Sequence, residues 1–180
     1  SEVFLFFDYD VHQTNLGKAD DGDVINQMLE SFDNETENGK LYISYPMVEA
    51  LRDFEADKCG NGDNCFVEIS DLAEYKNISS RNSLNPHFRD YNIDVWKEIV
   101  NVFSMRISCL LGNAEVISYE QYLDEANPHD IFMCEQALAG NNKVFIISAF
   151  PEFLVDYFGM KLWRTCVKHA KNQLDICNCK

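Results

Sequence analysis

No apolar run in this chain reaches the roughly 18 to 20 residues that would span a bilayer as a helix. Basic residues are also scarce, with 15 Lys and Arg against 30 Asp and Glu. The first shortage argues against a membrane-embedded protein. The second leaves a net charge of −15. A surface of that sign repels phosphate, so nucleic-acid binding by the whole surface is disfavoured and would need a local basic patch or a screening metal. The chain opens with Val3-Phe4-Leu5-Phe6-Phe7 and runs straight into aspartate. A secretory leader would need a basic start and a longer apolar run ending in small residues. The seven cysteines, Cys59, Cys65, Cys109, Cys134, Cys166, Cys177 and Cys179, are odd in number, which suits free thiols in a reducing compartment better than a disulfide framework. Together these shortages lead to the expectation of a cytoplasmic protein with no membrane partner.

What the chain has is alternation of strand and helix patterns. Val3–Phe7 is continuously apolar, the pattern of a strand buried on both faces. A helix is expected from near Asp21, with Val24, Ile25, Met28, Leu29 and Phe32 on one side. Leu41–Tyr45 reads as a second strand, and Pro46 fits the first turn of a helix after it. A loop at 57–65 and an irregular stretch at 76–90 precede the longest helix, Ile93–Leu111, which Gly112 ends. Glu115–Ser118 reads as a short strand, 119–126 as a helix, and Pro128 opens a helix that Gly140 closes. Lys143–Ser148 is the last strong strand. Pro151 begins a helix closed by Gly159, and a final one runs from Met160 to about Leu174. The expected fold class is α/β, a largely parallel sheet flanked by helices. Val3–Phe7, Leu41–Tyr45 and Lys143–Ser148 would share that sheet. The chain reads as a single domain over 1–180, or a fragment of a larger one, with 57–112 as a helical insertion.

The residues best placed for chemistry are Asp8 and Asp10. In an extended chain, positions i and i+2 share a face, so both carboxylates point the same way from the end of the first strand. Their mutual repulsion is relieved by a hard divalent cation such as Mg²⁺ or Mn²⁺. Glu49, in the first turn after the second strand, is the candidate third ligand, although the helix dipole alone would favour an acid there. Glu152 opens a helix after the last strand and carries the same ambiguity. Cys59 and Cys65 with Cys177 and Cys179 could form a zinc site, but their spacing departs from the usual Cys-x2–4-Cys pairs. His12, His87, His129 and His169 show no ligand spacing. Lys161, Arg164, Lys168 and Lys171 form a basic stripe on the last helix, the usual look of a solvated face.

A strand ending Phe7-Asp8-Tyr9-Asp10, then a helix, then Ile43-Ser44-Tyr45-Pro46-Met47-Val48-Glu49-Ala50-Leu51 resembles the C-terminal half of a TOPRIM domain. The likeness is to the nucleases of the overcoming-lysogenization-defect type and their phage-defence relatives. It covers about residues 3–55. In that family an Asp-x-Asp strand end binds metal and a Ser-x-x-x-Glu-like element follows the next strand. A further metal-associated glutamate lies on an earlier strand, a place that Glu2 does not match. The resemblance implies a TOPRIM-like fold and a Mg²⁺-dependent nuclease in which Asp8, Asp10 and Glu49 hold the metal. It also implies nucleic acid as substrate and a protein partner such as an ATPase. The start is similar, too, to haloacid-dehalogenase phosphatases, with Asp8 as nucleophile and Asp10 as general acid. Val11-His12 follows here, however, where that family usually carries a Gly-Thr pair. The reading from a different class is a non-catalytic protein-interaction domain.

Overall fold

The computed structural model describes residues 1–9, 19–54, 65–82 and 87–168. In chain order these form β1 (Phe4–Asp8), α1 (Ala19–Ser31), β2 (Asp33–Asn34), β3 (Gly39–Ser44), a 3-10 turn at Val48–Arg52, β4 (Phe66–Glu68) and α2 (Leu72–Asn82). They continue with α3 (Ile93–Leu110), α4 (Tyr119–Glu125), α5 (Pro128–Ala139), β5 (Lys143–Phe145) and α6 (Ala149–Cys166).

The helix starts follow local chemistry. The Asn92 side chain accepts from the amides of Asp94 and Val95 at 2.9 and 3.0 Å and starts α3. Ser118 caps α4 through the Gln121 amide, and Asn127 caps α5 through the Asp130 amide, with Pro128 just inside the helix. Each bond satisfies a donor that the first helical turn leaves orphaned. Gly159 breaks α6 with φ +66 and ψ −155, a left-handed backbone that a Cβ would strain. That break is the boundary expected between two helices.

The sheet is not largely parallel. It splits into a three-stranded sheet in the order β1-β3-β2 and a two-stranded sheet of β4 and β5. Within the first, β1 runs parallel to β3, with Leu5 opposite Leu41, and β2 runs antiparallel. β5 pairs antiparallel with β4, Phe145 opposite Phe66. The two sheets meet where Tyr45 and Ile147 exchange backbone hydrogen bonds of 2.7 and 2.9 Å, again antiparallel. The expected parallel sheet rested on strand–helix alternation, which fixes direction only when each helix is a direct crossover between sheet neighbours. Between β3 and β5 the chain instead passes through β4 and four helices, and β5 returns in the opposite sense.

Three further expectations are corrected. β1 is an edge strand, and its Phe6 and Phe7 are 40% and 48% exposed. Residues 116–118 form no strand, although Ile117 is buried and its amide is held by Ser108 Oγ at 3.0 Å. The helix expected at Pro46 is only a 3-10 turn that starts two residues later, after a cis Tyr45–Pro46 peptide. α2 and β4, in turn, were not foreseen.

The core lies between the first sheet and its helices. α6 covers β3 on one face, and α1 and α5 approach the other. α3 packs along α6, burying Val100, Phe103 and Ile107 with Trp163 and Val155. Inside this layer sits Arg106, 3% exposed. Its Nη1 donates to the Ile146 carbonyl at 2.9 Å, and its Nη2 lies 3.5 Å from Asp53 Oδ1. The side chain thereby ties α3 to the seam between the sheets and to the end of the 3-10 turn. Removing one member of a buried pair strands the other charge, at a cost of about 3–5 kcal/mol. Arg106→Leu should lower unfolding free energy in urea by about that amount, and a loss below about 1 kcal/mol would show that the pair is relaxed by solvent.

Candidate functional site

Of the sequence-derived carboxylates, Asp8 and Glu49 lie among the described residues. Asp8 ends β1, opposite Ser44 in register, and is exposed. Asp10, together with His12, lies outside the described residues. Glu49 sits on the 3-10 turn and is buried at 7% exposure, with Oε1 3.2 Å from Lys76 Nζ of α2. Its carbonyl accepts from Ser79 Oγ at 3.1 Å. A glutamate with its own ammonium partner on α2 is accounted for without a metal. No group of three or more His, Cys, Asp or Glu side chains suited to a metal is found among the described residues. Cys59, Cys177 and Cys179 of the zinc alternative also lie outside them. Of the basic stripe, Lys168 is paired with Glu98 at 3.0 Å, Lys161 and Arg164 are exposed, and Lys171 is outside. No described helix is long and apolar enough to cross a membrane.

Glu152 does find polar company, at a place the sequence did not suggest. One turn further along α6, Asp156 accepts from Tyr42 OH of β3 at 3.0 Å and from Tyr122 OH of α4 at 2.9 Å, and it is ion-paired with Lys40 Nζ of β3. Glu152 is 1% exposed and its Oε1 has no hydrogen-bond partner. Burial first, and Asp156 beside it second, push its pKa well above the usual carboxylate range, while Lys40 pulls the other way. Burial likewise raises the Tyr42 and Tyr122 hydroxyls, with Asp156 adding to it, so both phenols stay protonated donors. This is a structural hub that joins three elements.

Around the hub lies an aromatic surface. Phe4 packs edge-on against Phe153 at 4.8 Å between ring centroids, and Phe6 stacks on Phe150 at 5.0 Å. Phe153 and Phe4 both reach Tyr157, which in turn meets Phe158 at 5.0 Å. Three of these rings face solvent: Phe6, Tyr157 at 53% and Phe158 at 55% exposure. The backbone of β1 adds to the surface. Val3 O accepts from Lys40 N at 3.0 Å, and Tyr9 N donates to Ser44 O at 2.9 Å. Strand alternation therefore turns the odd-numbered peptide groups toward β3 and those of Phe4 and Phe6 away from it. No described strand pairs with β1 on that outer side. The apolar run did signal a strand, but a run apolar on both faces cannot say whether its second edge is paired.

No family model matches this chain, and neither the curated proteins nor the solved structures offer a match.

A second carboxyl missed by the sequence reading is Glu135 of α5, which is fully buried. Its Oε2 accepts from the Phe145 amide at 3.0 Å and so locks α5 to β5. Burial raises its pKa well above normal, only partly offset by that amide. The folded state therefore holds this proton more tightly than the unfolded chain does. Its contribution is fully present below the unfolded value near 4.5 and is lost as pH rises from there toward the folded value. Glu135→Gln, which keeps the acceptor for Phe145, should flatten the fall in urea stability as pH rises above the unfolded carboxyl value. An unchanged slope would mean that Glu135 is not protonated in the fold.

Proposed function

We propose that this chain is a non-catalytic protein-interaction domain that takes an extended segment of a partner along the outer edge of β1. The observation that carries this reading is an edge strand rich in exposed aromatics. Proteins usually guard such edges with charge, proline, a bulge or a covering element. Here the outward peptide groups of Phe4 and Phe6 are flanked by exposed Phe6, Tyr157 and Phe158 rings. An added strand would gain main-chain hydrogen bonds from the edge and side-chain selectivity from the rings.

The test is selection from a random peptide library displayed on phage. Enriched peptides should slow amide exchange at Phe4 and Phe6. They should also lose about tenfold or more in affinity on Phe6→Pro, which deletes an outward N–H while sparing the β1–β3 pairing. Phe6→Ala keeps the N–H and should lose less. Peptides that bind Phe6→Pro as well as the wild type, or leave both amides unprotected, would refute the reading.

Metal-dependent phosphodiester chemistry of the TOPRIM-like nuclease kind is the second reading, and one observation favours it. Asp8 is exposed at the carboxyl end of a strand in a parallel pair, where α/β proteins commonly seat ligands. Mg²⁺ or Mn²⁺ would be held there by Asp8 and Asp10. Glu49, already paired with Lys76, would not be needed. Calorimetric titration with either ion should then show heat that Asp8→Asn abolishes and Glu49→Gln leaves intact; a wild type without such heat removes this reading.

A further inference from the structure

We propose that the cleft beside β1 seats a lysine or arginine side chain of the partner segment, an inference that rests on the edge-strand reading and names the chemistry of its partner. The cleft has a volume of about 390 Å³. It is lined by Phe4, Tyr42 and Tyr157, by Glu2 and Glu35, and by the Lys40–Asp156 pair. Phe4 and Tyr157 also belong to the aromatic surface, so the cleft and the edge are continuous.

Charge selects the occupant. Asp156 is already matched by Lys40, which leaves the Glu2 and Glu35 carboxylates to draw a second cation. The chain as a whole carries −15, so the long-range field favours a basic partner as well. A second copy of this chain would bring like charge to like charge. The rings supply the other half of the seat. An ammonium or guanidinium over an aromatic face is attracted by the ring quadrupole, and the Lys40 ammonium already lies 5.4 Å from the Tyr42 centroid. Phe4 and Tyr157 offer the same to an incoming cation, and its aliphatic stem can lie along them. Glu152, one helical turn before Asp156 on α6, is buried with Oε1 unpartnered.

The experiment uses two synthetic peptides, one alternating valine with lysine and one alternating valine with norleucine. Binding is read by fluorescence anisotropy at fixed ionic strength. The lysine peptide should bind roughly fivefold more tightly. That preference should disappear in the Glu2→Gln/Glu35→Gln double variant and shrink with added salt. Equal affinity for the two peptides, or a preference that survives the double variant, overturns the proposal. Phe6→Pro separates the two readings: if it weakens both peptides while the double variant changes nothing, the edge stands and the cleft falls. An arm without peptide titrates n-butylammonium against the NMR signals of the Tyr157 ring, with sodium as control. A saturable shift lost in the double variant supports the cleft even where no peptide binds, an outcome that would refute the edge reading alone. No shift in that titration, or self-association of the chain in place of peptide binding, overturns the proposal.

Discussion

Tyr45 and Ile147 exchange two backbone hydrogen bonds, and through that pair the two sheets become one body. The neighbouring Ser44 Oγ accepts from the Ala149 amide at 3.2 Å, so the start of α6 is fixed to the end of β3 at the same place. Arg106 reaches the adjoining Ile146 carbonyl from α3. Strand exit, helix entry and the buried cation thus share a few residues of chain. The position of α6 over the sheet, and with it the Asp156 hub and the aromatic surface, is set there. A backbone seam suits this role, because its bonds depend little on which side chains flank them.

The hub and the surface do different work with neighbouring residues. Asp156 gathers a cation and two phenol donors, so its buried charge is well satisfied. The rings beside it are left partly in water. Matched polar partners on Asp156 beside apolar rings left partly in water leave an exposed aromatic face over a tied-down support.

Most of the helices, α2 apart, were legible because their signals are local. Asn92, Ser118 and Asn127 cap where side-chain chemistry says they should, and the glycine at 159 breaks α6 where the two-helix pattern ended. Strand partnership was not legible, because it depends on residues far apart in the chain. Val3–Phe7 carries no mark that separates a central strand from an aromatic edge, and Lys143–Ser148 carries none of its direction. The short apolar run at 115–118 is explained by packing of Ile117 on the core without any ladder. The candidate site fared similarly. The i, i+2 argument for Asp8 is local. The approach of Glu49 to it is a matter of tertiary placement, and the structure gives that carboxylate an ammonium partner in Lys76 on α2, an element the sequence did not disclose. Glu152 was visible only as a helix-opening acid and Glu135 carried no local signal; burial sets both apart.

The break at Gly159 divides α6 into two levers. The first carries Asp156 and the rings of Phe150, Phe153, Tyr157 and Phe158, and is fastened to β3. The second carries Trp163, which packs against Tyr119 and Tyr122 of α4 at 5.9 and 5.1 Å. Between the segments the helical backbone geometry is interrupted at φ +66. Force applied at the aromatic face therefore reaches the tryptophan end by a side route, through Tyr122, whose hydroxyl holds Asp156 and whose ring packs on Trp163.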